Sequence, residues 1–234
     1  MKPFRFQNFD IAQQAGVFRV GTDGVLLGVL ANISDAESVL EVGTGTGLIP
    51  MMLAQRSSKL TVIALDINPE AAALATSNFQ DSPYHDRLQA LHADFKSFHS
   101  DIKFDLIISN PPYFEVNDSA KDVFARQTVE MDACLLLEGN AELLNENGII
   151  SLIIPSDQST KLERRASELG LYMVRKVNIF GIAGGPVKRN VLEFSQKEIP
   201  ATEQEFVIEK DPRVYSQQYL DATRDFHIFG QKDN

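Results

Sequence analysis

Between residues 38 and 154 the chain repeats one unit: a short apolar run, a break, then a segment of helical character. That alternation constrains the fold more than any other feature. Strands separated by helices pair chiefly in parallel, with the crossover helices covering the sheet. Five runs fit buried strands: Ser38–Val42, Leu60–Leu65, Leu88–Ala93, Phe104–Ser109 and Gly148–Ile154. Helices are predicted over Leu48–Arg56, from Asn68-Pro69-Glu70 to about Phe79, and from about Val123 to Asn145, where Asn147-Gly148 reads as a C-cap. Beyond residue 155 the pattern changes. A helix near Asp157–Leu169 leads into Tyr172–Phe180 and Val187–Phe194, two β-rich runs around Gly181, Gly184, Gly185 and Pro186 that read as an antiparallel hairpin. The expected architecture is α/β and Rossmann-like: a seven-stranded, mostly parallel sheet with an antiparallel hairpin at one edge and helices on both faces. One domain is expected over 1–234, with an N-terminal lid and helix in 1–37, the core sheet in 38–196 and a C-terminal extension in 197–234. The extension holds a candidate edge strand, Glu205–Glu209.

What ends each strand matters next, because ligands of open α/β sheets bind at the carboxyl edge. The first run continues into Glu41-Val42-Gly43-Thr44-Gly45-Thr46-Gly47, whose G-x-G-x-G spacing departs from the G-x-G-x-x-G of dinucleotide sites. The second closes at Asp66, 23 positions beyond Gly43, where a carboxylate can accept from both hydroxyls of an adenosyl ribose. The third closes at Asp94, which could accept from an adenine amino group, with Phe95 against the ring. A structural turn for the glycines and helix N-caps for the aspartates are the simpler alternatives. Three consecutive strand ends of this kind favour a cofactor pocket. S-adenosylmethionine fits it better than NAD, since nothing here cradles a pyrophosphate. The fourth run ends in Asn110-Pro111-Pro112-Tyr113. The prolines have no N–H for a ladder and force the chain out of the sheet. What remains is a rigid corner with an amide, unpaired carbonyls and a ring, suited to a planar molecule that carries an amino group.

Composition excludes several classes. At 234 residues and 44% hydrophobic the chain can bury a sizeable core. No run approaches the roughly 18 apolar residues of a membrane span, and the N-terminus has no signal core, so neither a membrane partner nor export is expected. The lone Cys134, within Ala133–Leu137, fits a reducing compartment and reads as a small buried hydrophobe. Net charge is −10, yet residues 151–190 hold Lys161, Arg164, Arg165, Arg175, Lys176, Lys188 and Arg189 against three acids. They form either a basic patch for nucleic acid or, for Lys161–Arg165, a solvated helix face. His85, His92, His99 and His227 show no ligand spacing, so no metal is expected. Phe4, Phe6, Phe9 and Phe18 read as a packed N-terminal lid sooner than as RNA-stacking rings.

The pairing of Glu41–Gly47 with Asn110–Tyr113 resembles the N6-adenine and protein-glutamine methyltransferases that use S-adenosylmethionine. The string Arg19-Val20-Gly21-Thr22-Asp23-Gly24-Val25-Leu26-Leu27-Gly28 is similar to the one upstream of the first strand in bacterial tRNA1(Val) adenine N6-methyltransferases. The likeness runs on through Ile107–Tyr113 and Arg189–Phe194 into the tail Tyr215–Phe229, and so covers nearly the whole chain. It implies a class I methyltransferase sheet, S-adenosylmethionine as methyl donor without a metal, and tRNA as partner, modified on the anticodon-loop adenine 3′ of the anticodon. It implies cofactor contacts at Gly21, Thr22, Glu41, Gly43, Thr44, Gly45, Gly47, Asp66, Ile67, Asp94, Phe95 and Asn110. Asn110, Pro111, Pro112 and Tyr113 form the catalytic corner, with Tyr113, Lys188 and Arg189 against substrate. Asp23 or Thr22 would cap a helix from Gly24 to Ala31. A cytoplasmic monomer is expected. Alternatives are an adenine of ribosomal RNA or DNA, a release-factor glutamine, and a non-catalytic RNA-binding module. The glutamine enzymes usually carry an N-terminal helical domain, and only about 37 residues precede the first strand here.

Overall fold

The computed structural model describes residues 1–112, 133–140 and 142–228. The five predicted parallel strands are present as β3 (Ser38–Val42), β4 (Thr61–Asp66), β5 (Leu88–His92), β6 (Phe104–Ser109) and β7 (Leu144–Pro155). They lie in the order β7-β6-β3-β4-β5, all parallel. The chain therefore runs outward from β3 to β5, returns to β6 on the other side of β3, and places the topological switch between β3 and β6. Helices α1 (Thr22–Leu30), α2 (Leu48–Arg56) and α3 (Pro69–Gln80) contribute to one apolar cluster, and α4 (Ala133–Asn140) and α5 (Ser159–Glu168) to a second. Covered on both faces, β3 and β6 are buried along nearly their whole length, which explains their continuous apolar runs. Asn68 caps α3 by accepting from the Glu70 N–H at 2.9 Å, with Pro69 at the first helical position.

The sheet is wider than the seven strands expected. The hairpin of β8 (Tyr172–Ile182) and β9 (Val187–Ser195) is present, with β9 antiparallel to β7. Yet it is not the edge. The segment Thr202–Asp211 forms β10, parallel to β8, and β11 (Val214–Tyr215) lies outside it, giving nine strands. A two-stranded ribbon, β1 (Phe4–Arg5) with β2 (Asp10–Ile11), precedes the sheet. Phe6 and Phe9 are buried, and Gln7 ties the ribbon to the C-terminal residues through bonds to Arg224 and His227 carbonyls. The N-terminal lid thus packs as expected, except for Phe18, which is 70% exposed.

One helix ends earlier than its sequence implies. Asn145 and Gly148 lie within β7, not at a helix terminus. The Leu143 carbonyl accepts from the Phe104 N–H at 2.8 Å, so β6 captures the backbone before Asn147-Gly148 is reached. Those residues fall in a bulge between the pairs Phe104↔Leu144 and Leu106↔Ile149. A Cβ at Gly148 would meet Leu144 at 2.6 Å and the Phe104 carbonyl at 2.9 Å, so glycine answers a close approach there. The earlier part of that predicted helix lies outside the described residues.

Candidate active site

The glycine loop is built around the end of β4. The Leu65 carbonyl accepts from the N–H groups of both Gly43 and Thr44, at 2.9 and 3.0 Å. Asp66 accepts from Gly45 N–H at 2.8 Å through one oxygen and from Asn68 N–H at 2.9 Å through the other. Gly43, Gly45 and Gly47 all have positive φ. Gly47 has a second reason to be glycine, because a Cβ there would lie 2.5 Å from the Phe79 ring. Asn78, buried beneath the loop, donates to the Thr46 carbonyl at 2.8 Å. Nothing in the sequence around Asn78 marks it for this role.

Among the described residues, the buried oxygens Glu41 Oε2 and Thr44 Oγ1 find no hydrogen-bond partner. Burial pushes the Glu41 carboxyl up to about 8; the nearby Thr44 hydroxyl opposes that rise, and the Asp66 charge adds to it. Asp66 is also raised by burial, against the backbone bonds that lower it. Orphaned acceptors beside a cradle free of Cβ atoms suit a ligand that brings its own donors and positive charge. The amino group, ribose hydroxyls and sulfonium of S-adenosylmethionine have that character, so the residues fit the group.

At the outer end of the row, Asp94 is exposed and caps the short 3₁₀ turn Phe95–Ser97 through Lys96 N–H, which leaves it reachable by a ligand. The two apolar residues expected nearby differ. Ile67 is 45% exposed, while Phe95 is 8% exposed with its ring against Gly139. Phe95 therefore supplies wall rather than an open stacking face, because α4 has taken that face for the core.

On the other side of the switch, Asn110 follows β6 half-buried, Pro111 is buried and Pro112 half-buried. The Asn110 amide makes no hydrogen bond to a described residue. Ser109, another residue the sequence did not single out, donates from its hydroxyl to the Val42 carbonyl at 2.6 Å and ties this corner to the strand that carries the glycine loop. Since strands lie about 4.8 Å apart, the ends of β6, β3, β4 and β5 set Asn110, Gly43, Asp66 and Asp94 along one edge of about 14 Å. Tyr113 lies outside the described residues.

Around this edge three expectations change. The N-cap of α1 is Gly21, with no side-chain bond; Thr22 and Asp23 are already helical. Asp23 instead accepts from Arg189 Nε at 2.9 Å, so Arg189 is engaged by a helix and not held out for phosphate. Among the described residues the cations of 151–190 are widely ion-paired: Arg164 with Glu168, Arg165 with Glu138 and Glu168, Arg175 with Glu193, Lys176 with Glu163, and Arg189 with Asp23. The sequence showed an excess of charge, but pairing brought acids from α1, α4, α5 and β9 against it. Lys188 remains exposed.

Residues 8–166 match the family model described as the methyltransferase small domain. A predicted O-methyltransferase from Agrobacterium tumefaciens superposes with a TM-score of 0.67 at 17% identity, covering 87% of this chain and 96% of that one. A methyltransferase from Pyrococcus furiosus does so at 0.60 and 21%, covering 82% and 91%. Fold and family model together define a Rossmann-like methyltransferase. A curated relative from Flavobacteriaceae bacterium strain 3519-10, named tRNA1(Val) (adenine(37)-N6)-methyltransferase, is 51% identical over 98% of this chain and 100% of its own length. A second of the same name, from Bacteroides thetaiotaomicron, is 37% identical over 96% and 97%. The chain belongs to the tRNA1(Val) (adenine(37)-N6)-methyltransferase family.

Proposed function

We propose that this chain methylates N6 of adenine 37 in tRNA1(Val), in the cytoplasm, as a single-domain monomer. The observation that carries the reading is the full-length 51% identity to a relative of that name. The Asn110 amide, without a hydrogen bond to any described residue and beside the glycine loop, supports it. S-adenosylmethionine, when bound, supplies an electrophilic methyl on a sulfonium. Gly43, Gly45 and Gly47 would admit it closely, Asp66 would accept from its ribose, Glu41 and Thr44 would face its polar groups, and Ile67 and Asp94 would flank its adenine. Gly21 and Thr22 border the same edge.

The acceptor is an exocyclic amine whose lone pair is delocalised into the adenine ring. Asn110 Oδ1 and the Pro111 carbonyl would accept its two N–H bonds, drawing the nitrogen toward tetrahedral geometry and freeing the lone pair. Pro111 and Pro112 fix that carbonyl in place. Tyr113 would stack on the base swung out of the loop, a contact worth roughly 1–3 kcal/mol. No strong base is required, because the amine loses its proton after attack. Positioning and acceptor electrostatics carry the rate.

The test is methylation of total tRNA from a strain lacking this gene, with the modified base mapped. N6-methyladenine at position 37 of tRNA1(Val) is expected. A methyl group on another RNA, or on a glutamine of a release factor, would overturn the reading.

A further inference from the structure

Of the phenylalanines that precede α1, Phe4, Phe6 and Phe9 join the core and Phe18 does not. Phe6 and Phe9 are buried and the Phe4 ring lies 4.9 Å from that of Phe6. Phe18 is 70% exposed, more than any other large apolar side chain among the described residues. A single exposed ring is ordinary on a protein surface. What sets this one apart is that the chain pins both of its flanks. Val17 before it is buried, and its N–H donates to the Gln14 carbonyl at 3.4 Å. Val20 after it packs on the core cluster, and its N–H donates to Gln13 Oε1 at 3.3 Å. Phe18 is therefore presented from a tied-down loop and not from a fraying end.

The segment that Phe18 begins fixes where the ring sits. A Cβ at Gly45 would lie 3.8 Å from the Phe18 carbonyl and 3.9 Å from its Cβ, so Phe18 rests on the glycine loop after β3. Further along, Asp23 is bonded to Arg189 of β9, and Arg189 lies opposite Pro155 at the carboxyl end of β7. The strand order there is β9-β7-β6-β3. A segment tied to the β3 loop at one end and to β9 at the other crosses the ends of β6 and β7, where Asn110 leaves the sheet. Neighbouring strand ends lie about 4.8 Å apart, a gap that a phenylalanine side chain spans. Asp94, at the end of β5, lies on the opposite side of Asp66. The ring thus belongs to the acceptor half of the edge and not to the part proposed for the cofactor adenine.

We infer that Phe18 is a substrate-binding residue, its ring stacking on the adenine that enters the Asn110 corner. The inference deepens the proposed tRNA reading and rests on it. An adenine swung out of the anticodon loop leaves its stacking neighbours behind, and a ring held in place restores one of those contacts. Stacking engages only the π face of the base. It fixes the plane of the adenine while leaving the exocyclic amine to the Asn110 and Pro111 acceptors. The ring that water surrounds in the free chain then finds its partner in the complex.

The test couples the ring to the base. Binding of an unmodified anticodon stem-loop of tRNA1(Val) is measured by fluorescence anisotropy, with S-adenosylhomocysteine present so that no methyl is transferred. A second stem-loop is abasic at the adenine to be methylated. Phe18→Ala should weaken binding of the intact loop about tenfold, as loss of one base–ring stack does, and lower kcat/KM for methylation by a similar factor. Phe18→Tyr should keep wild-type values, and Phe18→Leu, apolar but without a π face, should fall between. On the abasic loop, wild type and Phe18→Ala should bind alike. Affinity for S-adenosylmethionine by calorimetry and the melting temperature should match wild type throughout. Unchanged binding of the intact loop by Phe18→Ala would overturn the inference, as would an equal loss on the abasic loop. So would a fall in cofactor affinity, which would put the ring on the methyl donor, or in melting temperature, which would make it part of the core. A wild-type protein that neither binds nor methylates the stem-loop would instead overturn the tRNA reading.

Discussion

The proposed cofactor side and the proposed acceptor side of this edge are built by different means. From β3 to β5 the site is backbone: glycine turns, N–H groups closing on the Leu65 carbonyl, and an aspartate that holds the loop. From β6 outward it is assembled from distant pieces. A proline corner is tied by one serine, and α1 is held at one end by Arg189 and at the other by Arg175. A cofactor common to many enzymes can be met by local, rigid geometry. An acceptor particular to one family needs surfaces that only remote contacts assemble.

Separating the two halves by mutation gives the largest expected effect. Asn110→Ala should lower single-turnover methylation by roughly a hundred- to a thousandfold while S-adenosylmethionine affinity stays within a few fold. Turnover near wild type would remove the acceptor role. Gly47→Ala breaks the other half. It combines a positive φ with the Phe79 clash and should destabilise the protein by about 2–4 kcal/mol in urea melts. It should also remove cofactor binding by calorimetry; a variant as stable as wild type would contradict the backbone account.

A pH series probes the same half more gently. The Glu41 carboxyl stands at about 8 in the folded chain against an ordinary value of 4.5, so the folded state holds the proton more tightly. Its contribution to stability is present below about pH 4.5, declines as pH rises, and is gone above about 8. The melting-temperature gap between Glu41→Gln and wild type, without cofactor, should therefore widen in favour of the variant from pH 5 to 8. A constant gap would show that Glu41 is ionised throughout. Smallest is the clamp on α1. A double-mutant cycle of Asp23→Asn and Arg189→Gln should give a coupling of about 0.5–1 kcal/mol. The salt slope of RNA binding should be unchanged by Arg189→Gln. A slope lower by one would return Arg189 to the phosphate contacts.

Much of this was legible in the chain. The βα alternation located the five strands β3 to β7 to within four residues, because the buried ones, β3 and β6 above all, demand unbroken apolar runs. Asn68-Pro69-Glu70 marked its helix because capping is local. Asn147-Gly148 misled, since the same pair serves a helix end and a strand bulge, and only the Phe104 N–H waiting at Leu143 distinguishes them. The basic character of 151–190 left a patch and a solvated face equally open for a related reason: charge is additive along a sequence, whereas pairing depends on which acids folding brings within reach.

By itself, then, the sequence determined the order of strands and helices, the glycine cradle, the acids at Asp66 and Asp94, and the proline corner at Asn110. Each is a property of a few adjacent residues with restricted φ, ψ or hydrogen bonding. Tertiary structure alone decided that Arg175 and Arg189 hold a helix, that Phe95 faces the core, that the sheet runs to nine strands, and that Phe4 and Tyr215 line one cavity. Those outcomes depend on contacts between residues as many as 211 positions apart in the chain, which no local pattern encodes.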